Sequence, residues 1–329
     1  MNQIHLLGIE EILPSNIILN DFFGEDEIRN KNRMFAGTVE RRHMQREELA
    51  SDFYFKASVK LLARLQVEVS GVDMILTNTS LADEAFTGCG AVVNKKLGAQ
   101  AKWVLDLHNT GCVSFLYLLD IAQTYFAAGK AQTALLCMGQ TAGGRIFGQP
   151  DTRQIAQAAV PGDGFAVAFV SSKGGSQVLG IELANFPEYA EDMYGSFDDG
   201  KKWWEARKVT GKIDFNESKS AMIMARGNKV VPKMVFSLLN KLNLKPTAID
   251  YLITNQPNLT FLRNWREALL LPKEKHLDTF AKYANLFGAG IPITLAESLK
   301  TDKIKSGDLV CLAGFSHACD FAGSAILRV

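Results

Sequence analysis

Between residues 72 and 170 the chain alternates short apolar runs with segments long enough for a helix, and that alternation is its strongest constraint on the fold. Runs at 72–77, 103–107, 131–138 and 165–170 read as strands, the first two of them buried. Residues 83–97 and 113–128 read as the helices between the first three. A strand that returns through a helix of ten or more residues pairs parallel to its predecessor, so the pattern predicts an α/β chain with a layered, largely parallel sheet. At 329 residues with 47% apolar content, the chain can bury such a sheet on both faces.

The second half repeats the order with different side chains. Ser171-Ser-Lys-Gly-Gly-Ser176 changes composition abruptly, and a boundary there predicts two units, 1–172 and 173–329. Strands are expected at 177–183, 249–254, 309–313 and 324–328, and helices at 218–242, kinked at Pro232, at 259–270 and at 291–300. Near the N-terminus, residues 2–9 read as a strand, residues 20–46 as a helix and loops on the surface, and residues 52–65 as a helix.

Thirty-six basic residues stand against thirty-five acidic ones, with no long block of either sign. Nothing asks for nucleic acid or an anionic membrane. There is no signal-peptide pattern and no apolar window long enough to span a bilayer, so a cytoplasmic protein is expected. Five cysteines with no CxxC spacing predict neither disulfides nor structural zinc. No His/Cys/carboxylate cluster has metal-ligand spacing, and no loop is built for a dinucleotide, so neither a metal nor a redox cofactor is expected.

Cys112, in Asp106-Leu-His-Asn-Thr-Gly-Cys112, falls where a strand turns into a helix. Free N–H groups and the macrodipole at a helix start favour an anion, so a cysteine there is expected to have a lowered pKa and to react as thiolate. The alternative is a small core residue.

Several segments in order resemble the thiolase superfamily, and within it the ketoacyl-acyl-carrier-protein synthase III branch. They are Val39-Glu-Arg-Arg-His43, Cys112 at the head of its apolar helix, Pro161-Gly-Asp-Gly-Phe-Ala-Val-Ala168, Tyr283-Ala-Asn-Leu-Phe-Gly-Ala-Gly-Ile-Pro292 and Ile304-Lys-Ser-Gly-Asp-Leu-Val310. The resemblance implies a duplicated five-layer α/β/α/β/α fold, usually a homodimer. It also implies that Cys112 takes an acyl group from a carrier-protein or coenzyme A thioester. Asn285 matches the family's asparagine, and Phe86 a phenylalanine that reaches into the partner subunit's acyl pocket, though a core role fits Phe86 equally.

The chain departs from the family in three places. The HQAN-type motif reads Asn255-Gln-Pro-Asn258, so an amide stands where the family has a histidine; an amide can donate to an oxyanion but is no general base. Phe315-Ser-His-Ala-Cys319 replaces a glycine-rich loop and introduces His317, expected here as a relocated base, with Asp320 to orient it or merely exposed. Where the family grips coenzyme A with a tryptophan and an arginine, the nearest positions are Asn32 and Ala36. That favours an acyl carrier protein as donor, with Arg263 and Arg266 meeting its acidic helix unless they form a plain solvated face. Phe147, Phe287 and the methionines of 221–234 could line an acyl tunnel or pack as core. His108 is a weaker candidate base, and His5, His43 and His276 read as structural or solvent-facing.

The expected activity is acyl transfer from Cys112 to an acceptor, forming an ester, an amide or a C–C bond, in secondary metabolism of polyketide or fatty-acid type. The competing reading is a non-catalytic or half-active subunit of a heterodimer. Hydrolysis of the acyl-enzyme is a third.

Overall fold

The structure is a computed structural model, described over residues 4–24, 37–196, 212–215 and 220–329. In chain order its strands are β1 (Ile4–Ile12), β2 (Ile17–Leu19), β3 (Glu40–Arg42), β4 (Met74–Thr79), β5 (Trp103–Asp106), β6 (Thr133–Gln140), β7 (Gly164–Ser171), β8 (Ser176–Asn185), β9 (Met193–Ser196), β10 (Lys212–Phe215), β11 (Tyr251–Thr254), β12 (His276–Leu277), β13 (Leu309–Ser316) and β14 (Phe321–Arg328). The α-helices are α1 (Ala50–Leu65), α2 (Gly90–Leu97), α3 (Ser114–Ala127), α4 (Ser220–Lys241), α5 (Leu259–Ala268), α6 (Phe280–Tyr283) and α7 (Gly290–Lys300).

Ten strands hydrogen-bond in the order β12-β11-β13-β14-β8-β1-β7-β6-β4-β5. Two five-strand blocks follow one plan. In the first, β4 lies parallel to β5 and β6, β6 antiparallel to β7, and β7 antiparallel to β1. In the second, β11 lies parallel to β12 and β13, β13 antiparallel to β14, and β14 antiparallel to β8. The blocks are hydrogen-bonded to each other where Ile4, His5 and Leu6 of β1 face Val178, Gln177 and Ser176 of β8.

Successive strand side chains point to opposite faces, and this sorts the core into layers. Met74, Leu76, Ala166, Ala168, Val310 and Leu312 join α3 and α7 in one cluster between the blocks. Their neighbours Ile75, Val167 and Phe169 face α1 and α2, while Leu309, Cys311 and Ala313 face α4 and α5. The result is the five-layer α/β/α/β/α arrangement. β7 and β13 are buried along their whole length, which is why they read as unbroken apolar runs rather than alternating ones.

Three local expectations need correction. The helix expected at 83–97 begins only at Gly90. Gly88 has φ +64°, and the Asp106 carboxylate accepts the N–H groups of Cys89 and Gly90, fixing the start there. β5, expected to be buried, is an edge strand paired only with β4, and Leu105 and Asp106 are exposed. The segment read as surface carries buried Arg41 and His43, Arg41 donating to Asn20 and Thr38 and lying over Phe23. His43 likewise packs edge-on against Phe22 and Phe23. The helix expected at 218–242 is α4, with Pro232 inside its span.

Candidate active site

Cys112 lies in a 3-10 turn, Gly111–Val113, that feeds directly into α3. Val113 and the α3 residues Phe115, Leu116 and Leu119 are buried between the two strand blocks, so packing rather than capping holds the turn. Gly111 adopts φ +40°, and a Cβ there would sit 2.3 Å from Ser316 Oγ and 3.1 Å from His317 Nε2. Only glycine fits. On the other side Gly288 comes close enough that its Cβ would meet Ser114 Oγ at 2.6 Å and the Gly111 carbonyl oxygen at 2.7 Å.

The thiolate expected from the helix start is not the resting state. Burial pushes the Cys112 thiol up to about 12, against smaller downward pulls from Asn255, Ser316 and its own N–H, and the charge of Asp320 pushes it further up. Desolvation outweighs the local dipoles. At neutral pH Cys112 is a thiol, and attack by its sulfur would require loss of that proton.

The C-terminal hairpin brings an imidazole beside the Cys112 turn. β13 ends at Ser316, and the turn into β14 contains His317 at φ 49° and Cys319 at φ 77°. His317 Nδ1 lies 3.1 and 3.2 Å from the two carboxylate oxygens of Asp320. A carboxylate only accepts, so Nδ1 carries the hydrogen and Nε2 is left as the acceptor. Nε2 is the atom that faces Gly111. Asp320 is itself held: its carbonyl accepts from Phe186 N at 2.7 Å and from Asn185 Nδ2 at 3.0 Å.

Asn255 follows β11 and is buried. Its Oδ1 accepts from Phe315 N at 3.3 Å, and its Nδ2 donates to Phe315 O at 2.9 Å. The backbone of Phe315 thus dictates which end of the amide is which. Three residues on, Asn258 caps α5 by accepting from Phe261 N at 3.0 Å. Asn285, also buried, is tied to the Pro161 segment through its N–H to Val160 O and through Gly162 N–H to its own carbonyl. Its Oδ1 accepts from Phe287 N at 3.1 Å. Ala284 and Phe287 flank it at φ 61° and 44°.

Cys112, Asn255, Ser316, His317 and Asp320 therefore converge from β5–α3, β11–α5 and β13–β14. Phe287 belongs to the 3-10 turn Phe287–Ala289, whose Gly288 touches the Cys112 turn. Phe86 is 97% exposed, which removes the core reading for it. Phe147 packs instead into a satellite cluster with Ile18, Phe23, Ala142, Ala158 and Ala159. Arg263 is exposed on α5 with Glu267 at 4.0 Å, and Arg266 is half-buried one turn on. Met234 packs in the α4–α5 core cluster and Met222 is exposed. His108 is exposed; His276 is buried between Thr254 Oγ1 and Leu262 O, both at 3.0 Å. Asn32 and Ala36 lie outside the described residues. Among the described residues no group of three His, Cys, Asp or Glu is placed to hold a metal ion.

Sequence reasoning passed over Ser316, Gly111 and Gly288. The signal available was the one that exposed His317, since Ser316 also replaces a small residue of the glycine-rich loop.

The family model for 3-oxoacyl-[acyl-carrier-protein] synthase III matches residues 105–186, and the model for its C-terminal part matches residues 239–329. The β-ketoacyl-[acyl-carrier-protein] synthase III of Clostridium perfringens is 25% identical over 340 residues, covering all of both chains. A synthase III of Halalkalibacterium halodurans is 28% identical, over all of this chain and 99% of the other. The crystal structure of the Thermus thermophilus enzyme aligns with a TM-score of 0.83 at 26% identity, over 99% of each chain. With Cys112 at the head of the central helix of a duplicated five-layer fold, the chain belongs to the 3-oxoacyl-[acyl-carrier-protein] synthase III family of the thiolase superfamily.

Proposed function

We propose that this protein is an acyltransferase in which Cys112 accepts an acyl group from an acyl-carrier-protein thioester and passes it to an acceptor whose proton is taken by His317. The observation that carries this reading is the oriented imidazole: Nδ1 is held by Asp320, and Nε2 faces Gly111 beside the nucleophile. A partner subunit without chemistry has no need of that arrangement.

Acylation begins with the neutral thiol. His317 Nε2 takes the Cys112 proton as the sulfur attacks the thioester carbonyl carbon. The new C–S bond replaces the bond to the carrier, and the proton returns on the departing carrier thiol. In the second half His317 takes a proton from the acceptor, which attacks the acyl-Cys112 thioester, and Cys112 leaves as the thiol that receives it. Asn255, an amide, cannot take a proton in either half; the amide donor at Asn285 serves developing negative charge on oxygen. An alcohol or amine that brings its own proton fits this set better than a malonyl unit needing decarboxylation. The pathway suggested is the assembly of a fatty-acid- or polyketide-derived secondary metabolite.

Two surfaces support the partners. Arg263, exposed on the helix that starts four residues after Asn255, supports docking of an acidic carrier helix, with Arg266 behind it. Phe86 and the open edge of β5 favour a homodimer, since an unpaired edge strand and a bare phenylalanine are surfaces that a second copy would cover.

Intact mass after incubation with carrier-protein and coenzyme A thioesters tests the proposal. An acyl adduct is expected, carried by the protein and absent from Cys112→Ala. His317→Ala should form the adduct at least tenfold more slowly and discharge it to the acceptor more slowly still. An unmodified protein with every donor overturns the reading.

A further inference from the structure

We infer that Ser316 is a positioning residue that, together with the Asn255 amide, forms a neutral two-donor cradle around the Cys112 sulfur and takes the place of a charged partner for the thiolate. The inference rests on Cys112 being the nucleophile of the proposed acyl transfer.

The geometry starts from hydrogens that must be placed. Ser316 is fully buried at the end of β13, and its Oγ accepts the Cys112 N–H at 3.0 Å. Accepting uses a lone pair and leaves the hydroxyl hydrogen to be donated. Among the described residues no other acceptor takes it, and a buried O–H without an acceptor is costly. The Cys112 sulfur belongs to the same residue whose N–H the oxygen already holds, so one hydroxyl can bridge its backbone and its thiol.

Asn255 is constrained in the same way. Phe315 N–H can only give to Oδ1, and Phe315 O can only accept from Nδ2. The amide therefore cannot flip, and one Nδ2 hydrogen remains. Gly314, whose Cβ would lie 2.5 Å from Asn255 Oδ1 and 3.2 Å from Val113 Cγ1, keeps the amide seated next to the residue that follows Cys112. Both side chains act on the thiol in the sense of favouring thiolate.

The two donors carry no charge and do not titrate, so they work at every pH at which the fold survives. The division of labour is then clear: His317 moves the proton, while Ser316 and Asn255 receive the anion it leaves. A serine where the family resemblance leads one to expect a glycine-rich loop is the sequence trace of that device.

Alkylation of Cys112 by iodoacetamide, followed by peptide mass mapping between pH 7 and 10, tests the cradle without any acyl donor. Ser316→Ala and Ser316→Gly, two independent ways to remove the hydroxyl, should alkylate about tenfold more slowly than the parent, equivalent to roughly one pKa unit. Ser316→Thr should recover most of the rate. A merely structural role for Ser316 moves the rate the other way, because a loosened turn exposes the sulfur. Equal or faster alkylation in the hydroxyl-free variants overturns the inference. Failure of the parent protein to take up acyl groups would instead overturn the transfer reading and leave this result standing.

Discussion

Gly111 shows how little room one residue leaves around Cys112. At φ +40°, with Ser316 Oγ and His317 Nε2 on the side where a Cβ would go, it is strained for any L-residue and clashes with both partners of Cys112. Gly111→Ala is expected to lose acylation by at least about a hundredfold while costing about 1–3 kcal/mol of stability. Adduct formation by mass spectrometry and a urea melt read the two effects separately; a variant that still acylates at the parent rate would show that the turn has slack. Asp320 belongs to the same scale. Asp320→Asn can turn its amide to donate to His317 Nδ1, which places the imidazole hydrogen on Nε2 and removes the base. Turnover should fall at least tenfold while Cys112 is alkylated no more slowly than in the parent, since the carboxylate that raises its thiol is gone.

At the scale of elements, α5 depends on one cap. Asn258→Ala removes the acceptor for Phe261 N–H and should cost about 1 kcal/mol in a denaturant titration. Because the same helix presents Arg263, it should also weaken carrier binding. Arg263→Glu should raise KM for a carrier-bound donor several-fold with little change for a coenzyme A donor. The elements that could be read from residues alone were those whose pattern is local, such as α1, with apolar side chains at helical spacing, and β7 and β13, which are continuous apolar runs. The start of α2 was not legible, because the residue that fixes it, Asp106, lies sixteen and seventeen positions away from the N–H groups it caps. The depth of Arg41 and His43 was hidden for the same reason. A charged segment reads as surface until Phe22, Phe23, Asn20 and Thr38 are known to enclose it. Cys112 and Asn255 could be found by their place in motifs, whereas Ser316 required knowing which backbone N–H would arrive beneath its hydroxyl.

For the whole molecule, the layers bury two imidazoles that then report on pH. Burial lowers His43 and His276 from 6.5 to about 4. Between those values the unfolded chain binds protons that the folded one refuses, so stability falls as pH drops from 6.5 towards 4. In His276→Gln one of these groups is gone. Its stability deficit against the parent should shrink by about 2 kcal/mol between pH 7 and pH 5, measured by urea unfolding at each pH. The opposing titration of Asp163, raised by burial to about 7, is common to both chains and cancels. An assembly of two copies should also respond at this scale. Phe86→Ser combined with Leu105→Lys is expected to shift the protein to monomer in light scattering, since it places polar groups on the exposed edge. The contact between Cys112 N and Ser316 Oγ spans 204 positions of sequence, and that separation has a consequence in time. At roughly 5–20 residues per second, a ribosome needs about 10–40 s to make the intervening chain. Throughout that interval the cysteine exists without its hydroxyl, its imidazole or the strand that carries them. Until the hairpin of β13 and β14 closes over the turn, the proposed acyl transfer therefore lacks the base and the hydroxyl it uses.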